Sequence, residues 1–186
     1  MGSAWMQIKT FSPNLDGGAR GLFLGGGYPN TTNVIDFITI PTQGNATDFG
    51  DLTTATILTG GCSSRTRGLA AGDYPSATNK IDFVTISSTG NAQDFGDRTT
   101  TGFNLGGLSN ETRGIFFGGH APADRDVIDF VTIASTGNAV DFGNLLSATH
   151  GVIGVASPTR GVIGGNSTPT NVIQFVTIGT TGDAVD

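Results

Sequence analysis

The dipeptide Arg-Gly recurs at Arg20, Arg67, Arg113 and Arg160, at spacings of 47, 46 and 47 residues. Three more anchors recur in a fixed order. Ile-Asp-Phe starts at Ile35, Ile81 and Ile128, with Ile-Gln-Phe at Ile173; Gly-Asn/Asp-Ala starts at Gly44, Gly90, Gly137 and Gly182; Asp-Phe-Gly starts at Asp48, Asp94 and Asp141 and is cut short at Asp186. A chain that writes one pattern four times folds as like units, each burying its apolar faces on its neighbours.

Each unit reads as strands. Val34 to Ile40 (VIDFITI) and its copies are β-branched and aromatic and lie between turn-forming residues. Ile35 and Phe37 point to one face and Ile38 and Ile40 to the other, so the sheet must be covered on both sides. Further strands are expected at Gly21 to Gly25, at Asp48 to Thr53, and at Ile57 to Gly61 with counterparts at Phe103 to Gly107 and Val152 to Val155. Periods of 40 to 50 residues with about four strands each are those of propeller blades; β-helix rungs are shorter, and helical repeats need helix formers that are scarce here. The spacing therefore predicts an all-β, four-bladed β-propeller forming one domain over residues 1–186. Its units lie near 20–66, 67–112, 113–159, and 160–186 joined to 1–19. The chain has 30 glycines, and glycine in the innermost strands suits blades that converge on a narrow axis.

The ends are in phase. Ala4 to Met6 is expected as the outer strand of the last blade and Ile8 to Phe11 as the inner strand of the first. Trp5 then falls where Leu52, Arg98 and Leu145 sit. Such sharing removes exposed edges. A single closed ring is the favoured form, and the same phase lets two chains exchange ends into an eight-bladed homodimer.

Composition excludes several classes. With a net charge of −6 and nine scattered basic residues, the chain lacks the basic footprint of a nucleic-acid binder. No apolar run reaches the roughly 20 residues of a membrane span, and no signal peptide is expected at the start. The one cysteine, Cys62, forms no internal bridge.

Candidate sites follow from the repeat. Asp36, Asp82 and Asp129 share a strand face with apolar residues and need partners. The repeated Arg20, Arg67, Arg113 and Arg160 are the expected ones, as structural pairs. Gln174 replaces the Asp in the fourth unit. Asp-Phe-Gly is turn chemistry, since no phosphate loop accompanies it. Asp48/Asp51 and Asp94/Asp97 do not form a calcium loop, because the third copy has Asn144. The two histidines, His120 and His150, occupy different phases of their units, and Cys62 has no repeated His partner. No catalytic residue, metal or cofactor is therefore expected. Sequons at Asn30, Asn45, Asn110 and Asn166 are what an Asn- and Thr-rich composition produces. The units differ most just after the strand-ending glycines. There the loops put Tyr28, Tyr74, His120 and Asn166 at one rim, as candidate binding residues beside the alternative that these are tolerant turns.

The repeat resembles kelch. A basic residue precedes an apolar strand ending in glycines (RGLFLGGG from Arg20, RGIFFGG from Arg113), then come a strand with one aromatic (Phe37, Phe130) and an outer strand with a second (Phe49, Phe142). Phe stands where kelch has Tyr and Trp, and Ala71 breaks the diglycine of the second unit. The wording NVIDFVTIASTGNAVDFGNL is similar to repeats of structural and tail-associated proteins of marine bacteriophages. That resemblance implies a non-enzymatic structural or interaction protein of the virion that contributes to host attachment. Its implied partners are other virion proteins or a host-surface glycan or protein. The alternative is a lectin-like propeller with one sugar site per blade.

Overall fold

The computed structural model describes residues 20–27 and 29–186. These residues form four antiparallel sheets. The first holds β1 (Arg20–Gly26), β2 (Thr32–Thr39) and β3 (Thr47–Thr56); the second holds β4 (Gly60–Ser63), β5 (Arg67–Ala71), β6 (Lys80–Thr85) and β7 (Gln93–Asp97). The third holds β8 (Gly106–Ser109), β9 (Arg113–Phe117), β10 (Arg125–Thr132) and β11 (Val140–Thr149), and the fourth β12 (Ile153–Ala156), β13 (Arg160–Gly164) and β14 (Gln174–Thr177). Strand order follows chain order in every sheet. Among the described residues no helix is long and apolar enough to cross a membrane. The segments expected to seal the ends, Ala4 to Met6 with Trp5 and Ile8 to Phe11, lie outside the described residues.

The two-faced strand works as its pattern dictates. Ile81 and Phe83 on β6 join a cluster with Phe116, Val131 and Ile133 of the following sheet, whereas Val84 on the opposite face joins Ile35, Phe49 and Leu52 of the preceding one. The third cluster joins Ile115, Phe117 and Ile128 to Ile163, Val176 and Ile178. The core therefore lies at the junctions between successive sheets. A fully buried residue such as Ile128 contributes on the order of 1.5–3 kcal/mol.

A second contact repeats at each junction. The hairpin loop of one unit docks on the outer strand of the unit before it. Gly90 N–H donates to the Phe49 carbonyl (2.7 Å) and Ala92 N–H to that of Asp51 (2.7 Å), while Asn91 Oδ1 accepts from Asp51 N–H (3.1 Å). Gly137, Asn138 and Ala139 repeat this on Phe95 and Asp97, and Gly182, Asp183 and Ala184 repeat it on Phe142 and Asn144. The Gly-Asn-Ala and Asp-Phe-Gly motifs are thus the two halves of one latch.

The glycine-rich strands start later than the sequence suggests, at Gly60, Gly106 and Ile153. Leu58, Asn104 and Gly151 intervene in left-handed conformation, with φ of 61°, 55° and 68°. This turn has its own pairing across the units: Asn104 N–H donates to Leu58 O (2.6 Å), and Gly151 N–H to Asn104 O (2.9 Å). Beyond it the strands run close together. A Cβ on Gly107 would lie 2.4 Å from the Gly61 carbonyl oxygen, which leaves no room for a side chain.

Candidate functional site

The repeated arginines do not meet the repeated aspartates. In antiparallel pairing, residues directly opposite share a face. Arg67 lies opposite Thr85, so it projects with Phe83 toward the following unit, while Asp82, one residue from Phe83, faces the preceding one. The guanidinium carbon of Arg67 sits 4.7 Å from the centre of the Phe83 ring, and its Nη1 donates to Ile133 O (2.9 Å) in the next unit. Arg20 does the same with Phe37 and Ile86 O, and Arg113 with Phe130 and Ile178 O. Arg160 stacks over Phe175 but donates to no carbonyl among the described residues.

The aspartates find other partners, different at each junction. Asp82 accepts from the Thr53 amide (3.1 Å) and hydroxyl and pairs with Lys80 Nζ (3.2 Å) of its own strand. Asp129 accepts from Thr99 and from Arg98 Nε (3.0 Å), both side chains of that ion pair being fully buried. Gln174 Oε1 accepts from Leu146 N–H (2.9 Å). No ion pair involves Asp36 among the described residues. Burial holds Asp129 above and Arg98 below their ordinary values, against the mutual attraction of the pair.

The rim residues fare differently. Tyr28 lies outside the described residues. Asn166 uses its side-chain oxygen to accept from the Thr149 hydroxyl. Tyr74 and His120 belong to a continuous row of rings: Tyr74 on Phe103 at 5.0 Å, Phe103 on His120 at 5.6 Å, and His120 on His150 at 5.1 Å between centroids. Asp124 closes the row. Its Oδ1 lies 2.7 Å from His120 Nδ1 and 2.8 Å from His150 Nδ1. The three side chains are about one third exposed, and the hydrogen bond from His120, reinforced by His150, holds the Asp124 carboxyl below its ordinary range.

Backbone register builds this cluster. Arg125 at the start of β10 pairs with Thr149 at the end of β11, which places Asp124 beside His150 across the ladder. His120 is held by reciprocal hydrogen bonds with Phe103 (2.9 and 3.2 Å) and forms a bridge with Asp124. Different phases in the repeat did not keep the two histidines apart, because His120 follows β9, His150 follows β11, and both lie at the end of β10 that begins beside Asp124. The nitrogen and oxygen atoms of this trio suit a borderline cation or a polar ligand beside an aromatic shelf. Cys62 lies elsewhere, half-buried near Gly114, and burial pushes its thiol up to about 12.

No family model matches the chain, and no curated protein matches it.

Proposed function

We propose that this chain is a non-enzymatic structural and interaction module, a kelch-like β-propeller that joins like units face to face. The observation that carries this reading is the junction made three times within the chain, whose two halves stand exposed at the ends. On the first unit Ile40 is 66% exposed, whereas its counterparts Ile86, Ile133 and Ile178 are 7% exposed or less. Its latch loop, Gly44 to Ala46, is exposed as well. On the last unit Val155 is 65% exposed, whereas Leu108 at the same phase is buried against Gly154 and Gly161. Arg160 is exposed there too.

These two faces are complementary by construction, and a second copy presents the same pair. Head-to-tail contacts of this kind close a ring when the rotation permits and propagate otherwise. We read such an assembly as part of a virion, on the resemblance to phage repeats, with other virion proteins or a host-surface receptor as its neighbours. Light scattering tests the reading: a mass that is a multiple of 18.9 kDa is expected at micromolar concentration, and Ile40→Asp or Arg160→Glu returns it to the single chain. A single-chain mass for the unmodified protein refutes the assembly between copies and is the outcome the single closed ring requires.

One observation favours the lectin-like alternative. Equivalent shallow recesses recur beneath the hairpin loops of the first three units, lined for example by Thr39, Thr42 and Asn45, and by Thr85, Ser88 and Asn91. Their polar hydroxyl and amide lining suits a saccharide. They lie at the hairpins and not at the rim row. Absence of binding across a glycan array rejects this alternative.

A further inference from the structure

We propose that His120, Asp124 and His150 bind a divalent transition-metal ion, with zinc as the probe that identifies the class. The inference does not rest on the assembly reading. One ligand atom from each of the three side chains lies within 4.8 Å of the other two, and Nδ1 of each imidazole faces the same carboxylate oxygen of Asp124. Zinc binds imidazole nitrogen and carboxylate oxygen at about 2.0–2.2 Å, so two ligands on a tetrahedral ion stand roughly 3.3 Å apart. The observed nitrogen-to-oxygen separations of 2.7 and 2.8 Å need to open by only about half an ångström to admit the ion.

Three features make the trio a site. It is positioned by backbone, His120 by its reciprocal bonds with Phe103 and His150 by the Gly151 to Asn104 hydrogen bond beside it. Its exposure leaves a coordination position for water or an outside ligand, the arrangement of an open three-ligand zinc site. Two imidazoles with a single carboxylate suit zinc, nickel or copper, whereas calcium and magnesium require more oxygen ligands than the trio supplies. Arg125 beside the trio bonds the Ala121 carbonyl, and Asp126 adds a second carboxylate nearby in sequence. A zinc-bound Nδ1 carries no proton, so each ring keeps its N–H on Nε2 when the ion is bound. Phe103 packs its ring on His120, and Tyr74 packs on Phe103, so an aromatic row backs one ligand of the trio.

Calorimetric titration of the tag-free chain with zinc chloride is the test. One zinc per chain is expected, with no comparable binding of calcium or magnesium. His120→Ala and His150→Ala are each expected to weaken zinc by about tenfold or more. Their melting temperatures without zinc check that the variants fold. Should a variant fail to fold, cobalt(II) bound to the unmodified chain decides the matter: visible absorption of a four- or five-coordinate ion supports the site, and a six-coordinate all-oxygen spectrum overturns it. Absence of zinc binding by the unmodified chain, or equal affinity in the folded double variant His120→Ala/His150→Ala, also overturns the proposal.

Discussion

Replacing Arg98 by Leu removes the cation from the junction between the second and third units. The new residue is the one found at the same phase in the first and third units, Leu52 and Leu145, so the shape of the position is compatible. The charge is the difficulty. Asp129 is fully buried and, among the described residues, would keep only the Thr99 hydroxyl. Breaking one side of a buried pair costs about 3–5 kcal/mol, because the remaining charge is left uncompensated. For a chain of this size that corresponds to a fall in Tm of roughly 6–20 °C. The pair itself is a poor source of stability. Burial moves both partners toward their neutral forms, and the two terminal nitrogens of Arg98 have no hydrogen-bond partner among the described residues.

Arg98→Leu with Asp129→Gln should therefore behave quite differently from Arg98→Leu alone. The double variant copies the residue types of the next unit, where Leu145 stands at the phase of Arg98 and Gln174 accepts from Leu146 N–H, and its stability is expected within about 1 kcal/mol of the unmodified chain or above it. Urea denaturation of all four members of the cycle gives a coupling energy of about 2 kcal/mol or more. The pH dependence supplies a second reading. A carboxyl raised above its ordinary 3.8 holds its proton more tightly in the folded chain. Its contribution is largest below that ordinary value and is lost as pH rises through the folded value. Asp129→Gln removes this slope. A double variant as unstable as Arg98→Leu would refute the reasoning.

Other perturbations address the repeated contacts. Asn138→Ala deletes one exposed latch hydrogen bond to Asp97 and is expected to cost about 0.5–1.5 kcal/mol in denaturant melts. Gly96→Ala, where a Cβ would lie 2.5 Å from the Gly137 carbonyl oxygen, is expected to cost about 1–3 kcal/mol by overpacking, and a smaller loss than for Asn138→Ala would contradict the latch. Arg67→Lys keeps the charge but loses the planar stack on Phe83, and thermal melts should register a loss of about 0.5–2 kcal/mol. Leu58→Gly relieves an exposed leucine at φ 61° and should leave stability unchanged or raise it by up to about 1 kcal/mol; a drop would show that the leucine side chain carries weight.

The strands were legible because their pattern is redundant. Ile35, Ile81 and Ile128 announce the same strand three times, and a two-faced apolar run demands cover on both sides. The charge pairing was not legible in the same way. Arg and Asp recur in phase, which suggests partnership, but period-two geometry puts them on opposite faces of their sheet. Finding that needs the register between β5 and β6, which composition does not carry. The actual partner of Asp129, Arg98, appears once and breaks the repeat. The histidine cluster was hidden for a related reason. A search for repeated ligands passes over His120 and His150, because the ladder between β10 and β11 brings His150 to Asp124 and a separate bridge brings His120 there, neither following the repeat.

Near-identical units create a hazard of their own, because any face fits any neighbour in shape. The polar substitutions resolve it. The second unit carries its own cation, Lys80, beside Asp82, so it accepts the neutral Leu52 and Thr53 of the first. The third unit has Val127 in place of that lysine, and its buried Asp129 depends on Arg98. Placed on the first unit, Asp129 would meet Leu52 and lack a cation, at the cost already worked out for Arg98→Leu. The fourth unit, with Gln174, needs none. A mismatch costing about 3–5 kcal/mol outweighs the small differences among the apolar contacts, so this departure from the repeat fixes which neighbour the third unit accepts. Asp36 on the exposed first face is flanked by Val34, as Asp129 is by Val127. A partner that buries this face must therefore bring a hydrogen-bond donor or a cation to it, as Thr99 and Arg98 do for Asp129.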